Sequence, residues 1–181
     1  MQAVVTYLEM TERPTSPTPV RPALPIALMR AEAMPVSFYR YLYNTVGEDW
    51  LWYERRLVDD ETLARDIHHP EVEVYVLYVK GAPAGYGELD RRAGETIELE
   101  YFGLLPDFIG MKLGGYFLRW LVDQAWAEGA ERVTVNTCDL DHPSALQLYQ
   151  KTGFSVYQRE TVEFDDPRAQ GWFPDWRDLR P

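Results

Sequence analysis

Residues Thr96 to Gly129, T-I-E-L-E-Y-F-G-L-L-P-D-F-I-G-M-K-L-G-G-Y-F-L-R-W-L-V-D-Q-A-W-A-E-G, decide how this chain folds. Ile97, Leu99 and Tyr101 alternate with Glu98, Glu100 and Phe102, the period of two that belongs to a sheet strand. Pro106 ends the strand, because it has no amide proton to offer a ladder. From Leu113 onward the apolar residues Leu113, Phe117, Leu118, Leu121, Val122 and Ala125 fall at three-and-four spacing, which predicts a helix with one buried face, and Gly129 stops it. Gly110, Gly114 and Gly115 remove side chains where the helix starts and its first amides lack partners. Such a start suits an anion, most obviously a phosphate.

Downstream of this unit, Arg132 to Thr137 alternates as a strand. A short helix follows in D-L-D-H-P-S-A-L-Q-L-Y-Q-K-T-G-F, which Asp141 or His142 could cap, with Pro143 near its first turn and Gly153 at its end. Phe154 to Phe164 reads as a last long strand. The tail from Asp165 to Pro181 carries Trp172, Phe173 and Trp176, whose rings are expected to pack back on the body, at a subunit contact or as a pocket lid. Upstream, Val72 to Val79 and Ala84 to Asp90 form two strands around the turn Lys80-Gly81-Ala82-Pro83. Gly85 and Gly87 are no dinucleotide fingerprint, since no helix follows them. Asp59-Asp60-Glu61 opens a helix that ends near His68-His69-Pro70, and the adjacent histidines lack the further ligands that a metal site needs. Ala27 to Trp52 predicts helix in two pieces divided near Pro35, with Phe38, Tyr41, Leu42 and Val46 as its core stripe. Val4 to Met10 predicts a first strand, and the prolines between Arg13 and Pro25 an extended surface connection.

A length of 181 residues fits one domain spanning residues 1–181, and 46% hydrophobic content argues for a globular chain. No apolar run reaches membrane-spanning length, and the opening M-Q-A-V-V-T-Y-L-E-M has no basic leader, so neither a membrane association nor a secretory signal is expected. Cys138 is the sole cysteine, which excludes an internal disulfide and fits a cytoplasmic protein. The net charge of −11 opposes general nucleic-acid binding and favours cationic small molecules.

Two stretches together resemble the GNAT superfamily of acyl-CoA-dependent N-acetyltransferases: L-x-P-x-x-x-G-x-x-x-G-G from Leu104 to Gly115, and A-L-Q-L-Y-Q-K-T-G-F from Ala145 to Phe154. The likeness covers roughly the second half in sequence and the order of elements throughout. It implies an α/β (α+β) domain: a mixed, mostly antiparallel twisted sheet with helices on both faces. The family's pyrophosphate loop, Gln/Arg-x-x-Gly-x-Gly/Ala, aligns with Ile109-Gly110-Met111-Lys112-Leu113-Gly114, so isoleucine replaces the Gln/Arg and lysine the middle glycine. Main-chain amides carry most of such a contact, and Lys112 either adds positive charge or simply faces solvent.

What the resemblance implies is acetyl transfer from acetyl-CoA to a primary amine of a small molecule or protein, without a metal; the alternative is a catalytically weak acyl-CoA-binding or protein-interaction module. The implied cofactor contacts are Leu104, Leu105, Ile109, Gly110, Met111, Lys112, Leu113, Gly114, Gly115, His142 and Lys151, with Arg119 a further candidate for CoA phosphates. By the same resemblance the central strand splays from its neighbour after Tyr101, and Tyr149 stands at the general-acid position. Glu98 and Glu100 share one strand face, and either could take the amine's proton. His142 could contact CoA, act as a base or cap the helix. Some of the aromatic cluster from Phe38 to Tyr53, F-Y-R-Y-L-Y-N-T-V-G-E-D-W-L-W-Y, is expected to border the acceptor pocket. Many relatives form dimers, and monomer and homodimer both stay open.

Overall fold

The computed structural model describes residues 1–173. Seven strands form one sheet in the order β2-β3-β4-β5-β6-β1-β7, with β1 Gln2–Met10, β2 Ile26–Arg30, β3 Val72–Val79, β4 Ala82–Asp90, β5 Thr96–Leu104, β6 Arg132–Cys138 and β7 Ser155–Glu163. All neighbours run antiparallel except β5 and β6, which are parallel because α4 (Leu113–Ala127) carries the chain over one face between them. Residues Leu113, Phe117, Leu121 and Ala125 of α4 meet Leu77, Leu89, Leu99 and Val135 of the sheet, and α5 (Ala145–Thr152) packs beside them. The other face carries α1 (Val36–Gly47), the short α2 (Glu54–Leu57) and α3 (Asp60–Ile67), packed through Tyr39, Leu42, Val46 and Leu63 on Val74, Val76 and Tyr86. The continuous apolar run of β3 follows from this two-sided cover, since each face of the strand meets a helix layer.

Several expectations need correction. Ala27 to Arg30 is strand, not helix: its Ala-Leu-Met-Arg composition favours helix, but pairing with β3 covers what would otherwise be that strand's open edge. The core stripe of α1 consists of Tyr39, Leu42, Tyr43 and Val46, while Tyr41 is exposed. The tyrosines go inside because their hydroxyls find partners there: Tyr39 donates to Glu88 at 2.6 Å, and Tyr43 accepts the Arg55 amide at 3.2 Å.

The central strand departs from strict alternation. Glu88 of β4 faces Tyr101 while Leu89 faces Leu99, so Glu100 is an extra residue, a bulge. Tyr101 therefore joins Glu98 and Glu100 on the face of α1, packing on Tyr43 and Trp52, and Phe102 turns to the α4 face against Phe117 and Tyr149. Parallel pairing of β5 with β6 runs only from Thr96–Leu99 opposite Arg132–Val135, two residues short of the splay expected after Tyr101. Beyond it β6 stays with β1 as far as Cys138 opposite Val5, while β5 stays with β4 as far as Leu104 opposite Gly85. The two halves of the sheet thus diverge.

The first strand lies between β6 and β7, so residues 11–25 must cross the sheet to reach β2 at its opposite edge. Arg119 of α4 anchors this connection: it is buried, and its guanidinium donates to the Ser16 carbonyl (2.9 Å), the Ser16 hydroxyl (3.1 Å) and the Pro14 carbonyl (3.3 Å), with Asp123 at 3.2 Å. Arg119 is therefore committed to holding this connection. Among the described residues no helix is long and apolar enough to cross a membrane.

Candidate active site

The divergence of β5 and β6 opens a cavity of about 750 Å³. Along its edge, the Leu105 amide donates to Ala84 at 2.9 Å, so strand geometry turns the Leu104 amide the opposite way, toward the gap. At the cavity's other end is the start of α4. Lys112 stands there with φ of 60°, no side chain caps the helix, and Gly110 at φ 84° makes the turn into it. A Cβ on Gly114 or Gly115 would meet Leu148 only at 3.6 or 3.7 Å, an ordinary contact. Packing thus does not demand glycine at either position, and their bareness leaves the first-turn amides open to an incoming group.

Ile109, Gly110, Lys112, Leu113, Gly114 and Leu104 line this cavity together with His142, Tyr149, Glu98 and Glu100. The remaining predicted contacts lie elsewhere. Leu105 is buried in the α1-side core, Met111 and Lys151 face solvent, and Gly115 lies one position off the lining. Neither Asp141 nor His142 caps α5, whose N-cap is Ser144 without a side-chain bond. Asp141 instead closes the preceding turn, accepting from the Thr137 hydroxyl at 2.7 Å and the Cys138 amide at 2.9 Å. The His142 ring accepts the Ser144 amide at 3.1 Å and stands edge-on to Trp50.

Burial and neighbouring charge set the protonation of the acidic groups. Glu100 is pushed up to about 7, first by burial and then by the carboxylates of Glu98 and Glu88, with Arg55 opposing. Glu98 is raised by burial too, partly offset by the Asn136 amide that donates to it at 3.3 Å. Beneath them Glu88 is fully buried but paired, accepting from Arg55 at 3.0 Å and Tyr39 at 2.6 Å, and Arg55 also binds Asp66 at 2.7 Å. Tyr149, buried between Phe102 and Phe154, is raised above its usual range by burial and then by the charge of Asp141. Its phenol therefore keeps its proton throughout the neutral range.

A further part of the lining is aromatic. Tyr43, Trp52 and Tyr101 form a triangle with ring centroids 5.1 to 5.5 Å apart, and the Trp52 indole donates to Asp141 at 3.1 Å. Tyr53 lies between Phe164 (5.9 Å) and Trp172 (5.7 Å), stacked on both. Arg56 fastens the C-terminal segment there, 4.4 Å above the Phe173 ring and donating to the Trp172 carbonyl at 3.3 Å. Trp172 and Phe173 thus pack back on the body; Trp176 lies outside the described residues.

The fold that holds this gap has counterparts among known proteins. A model of the acetyltransferase (GNAT) family matches residues 38–154. The chain belongs to the GNAT acetyltransferase family. Solved structures share the fold at low identity. A GCN5-related N-acetyltransferase from Sphaerobacter thermophilus is 16% identical with a TM-score of 0.62, over 87% of this chain and 49% of that protein. A Bacillus subtilis acetyltransferase in complex with CoA is 19% identical (TM-score 0.55; 74% and 78% covered). An aminoglycoside acetyltransferase from an uncultured soil metagenomic sample, in complex with sisomicin, is 14% identical (TM-score 0.60; 78% and 95% covered). The chain spans about half the length of the Sphaerobacter protein. No curated protein matches it.

Within this GNAT domain, sequence reasoning missed Asn136, Phe164 and the β1 residues Ala3 and Val5, all of which line the cavity. They come from β6, the residue after β7, and β1. Only the strand order brings them together, and no local spacing signals it. The paired histidines hold no site: His68 contacts the Met34 carbonyl at 2.8 Å, His69 accepts the Glu71 amide, and no metal-capable cluster exists among the described residues.

Proposed function

We propose that this GNAT protein transfers the acetyl group of acetyl-CoA to a primary amine by direct attack in a ternary complex. The observation that carries the reading is the gap between β5 and β6, which Glu98 and Glu100 line from one side and Tyr149 from the other, beside a bare helix start. The open amides at Leu113 and Gly114, with Lys112, would hold the pyrophosphate of CoA, and the Leu104 amide would polarise the thioester carbonyl. Acetyl-CoA supplies the activated acyl group.

Glu100 takes one proton from the bound ammonium, which frees the nitrogen lone pair for attack, and passes it to solvent; the second proton, lost as the nitrogen bonds to the carbonyl carbon, leaves by the same route. With a pKa of about 7 it suits this work at neutral pH. Glu98, fixed by Asn136, holds the approaching ammonium and keeps Glu100 basic through its charge. As the carbon–sulfur bond breaks, Tyr149 hydrogen-bonds the sulfur and passes its proton as charge develops, so that CoA leaves as the thiol and the phenol regains a proton from solvent. A buried phenol is a weak acid, so hydrogen bonding carries most of the stabilisation.

Tyr149→Phe tests this reading, because it keeps the ring against Phe102 and Phe154 and deletes only the hydroxyl. Thiol release from acetyl-CoA, followed over a panel of amines, should fall about 10²-fold in kcat with CoA affinity unchanged. Unaltered turnover removes Tyr149 from the mechanism, and CoA binding without release under any amine defeats acetyl transfer itself.

A further inference from the structure

We infer that the acceptor is an arylalkylamine, a single ammonium on a short flat apolar body, held with its charge at Glu98 and Glu100 and its body among the rings around Tyr53. The inference rests on the acetyl transfer proposed above and narrows its acceptor.

Four carboxylates line the cavity, Glu54, Glu98, Glu100 and Asp141. Two are already engaged. Glu54 accepts from the Tyr101 hydroxyl at 3.2 Å, and Asp141 is bonded by the Trp52 indole, the Thr137 hydroxyl and the Cys138 amide. Glu98 and Glu100 remain, next to each other on one face of β5 with only Asn136 donating to the pair among the described residues. This acidic pair is therefore the cavity's principal place for a cationic head.

Away from that place apolar groups predominate on the acceptor side. Phe164 and the edge of Tyr53, whose faces are covered by Phe164 and Trp172, form one wall, and Ala3, Val5 and Val162 form another. Rings favour a flat apolar body by offset or edge-on packing and draw an ammonium close to their faces. An amino sugar would set several hydroxyls against these walls with no partner, and a diamine would bury its second ammonium likewise. Such unpaired polar groups discriminate far more strongly than a missing methylene does. Length is limited too, because the 750 Å³ must take the thioester arm as well as the acceptor. The sisomicin-bound relative shares only the fold, so its amino-sugar ligand does not set the acceptor of this chain.

The test uses the purified full chain with acetyl-CoA and five acceptors: 2-phenylethylamine, tryptamine, 1,4-diaminobutane, glucosamine and a lysine-containing peptide. Thiol release should give a kcat/KM for the two arylalkylamines at least about tenfold above each of the others. Faster turnover of the diamine, the sugar or the peptide overturns the acceptor class and leaves acetyl transfer standing. Calorimetry of each amine with the CoA-loaded protein separates the two ideas. Selective binding of the arylalkylamines without any turnover keeps the acceptor class and sinks acetyl transfer, and binding of none overturns the class.

Two variants read the ring wall directly. Tyr53→Leu should raise KM for 2-phenylethylamine about tenfold, with kcat and the KM for acetyl-CoA little changed. Phe164→Ser, at the other side of the same stack, should do the same. Unchanged KM in both folded variants removes the rings from acceptor binding and the proposal with them.

Discussion

Glu100 differs from Glu98 by its place in the bulge rather than by its chemistry. The extra residue turns it toward the buried Glu88 as well as toward Glu98, and burial first, then the charges of Glu98 and Glu88, raise it to about 7. If Glu100 is the base, kcat/KM should rise with pH through about 7, since the carboxylate must be free to take a proton. Glu100→Gln should abolish that acidic limb and lower kcat by about 10²-fold. A stability signature of opposite sense accompanies it. A carboxyl raised in the folded state holds its proton more tightly there than in the unfolded chain, so its stabilising contribution is complete below the unfolded value near 4.5 and is lost as pH rises through about 7. Above pH 8 the ionised residue is a liability, and Glu100→Gln should then stabilise the fold by on the order of 1–2 kcal/mol, with no gain at pH 4. Thermal melts at the two pH values check this. A gain of equal size at both would mean that charge is not the cause. At this scale the sequence shows that two acids share a strand face, but which one is the more perturbed depends on Glu88 and Arg55, which alternation cannot locate.

Elements were legible where the period was long and unbroken. The strand from Thr96, the helix from Leu113 and the short helix before Gly153 all stand as their spacing predicts, because burial on one face repeats the same demand at every turn. Alternation failed at Tyr101 and Phe102, where one inserted residue exchanged the faces, and propensity failed at Ala27 to Arg30, where a neighbouring strand edge outweighed it. The site depends on how closely these elements approach. A Cβ on Gly103 of β5 would come within 2.2 Å of Val46 Cγ1 on α1, a buried β-branched side chain whose rotation is restricted. Gly103→Ala should therefore cost about 1–3 kcal/mol and lower the melting temperature by roughly 2–10 °C. Because the strain forces β5 away from α1 at the lip of the gap, KM for the amine should change with it. A melting temperature equal to the parent's would mean that α1 and β5 are not in this contact.

On the scale of the whole molecule, the order β6-β1-β7 puts the first strand in the interior of one half of the sheet. Nothing local in residues 1–10 signals this, since an alternating strand looks the same at an edge as in the middle. Chain ends are often dispensable when few buried contacts hold them. Here Val5 to Met10 pair with β6 and Gln2 to Glu9 with β7, Leu8 and Met10 fill the α5-side core, and Ala3 and Val5 line the cavity. Removing residues 1–10 would leave β7 without a neighbour on either side and uncover the apolar face beneath α5. The truncated chain should lose its cooperative thermal transition, while a peptide of residues 1–12 added in trans should restore it by strand addition, because the vacated slot offers ladder partners on both sides. Circular dichroism melts of the truncated chain with and without the peptide make the comparison. A truncated chain that melts cooperatively near the parent temperature would show that β6 and β7 hold together without β1, and that the cavity wall built by Val5 is an addition to the domain rather than part of its frame.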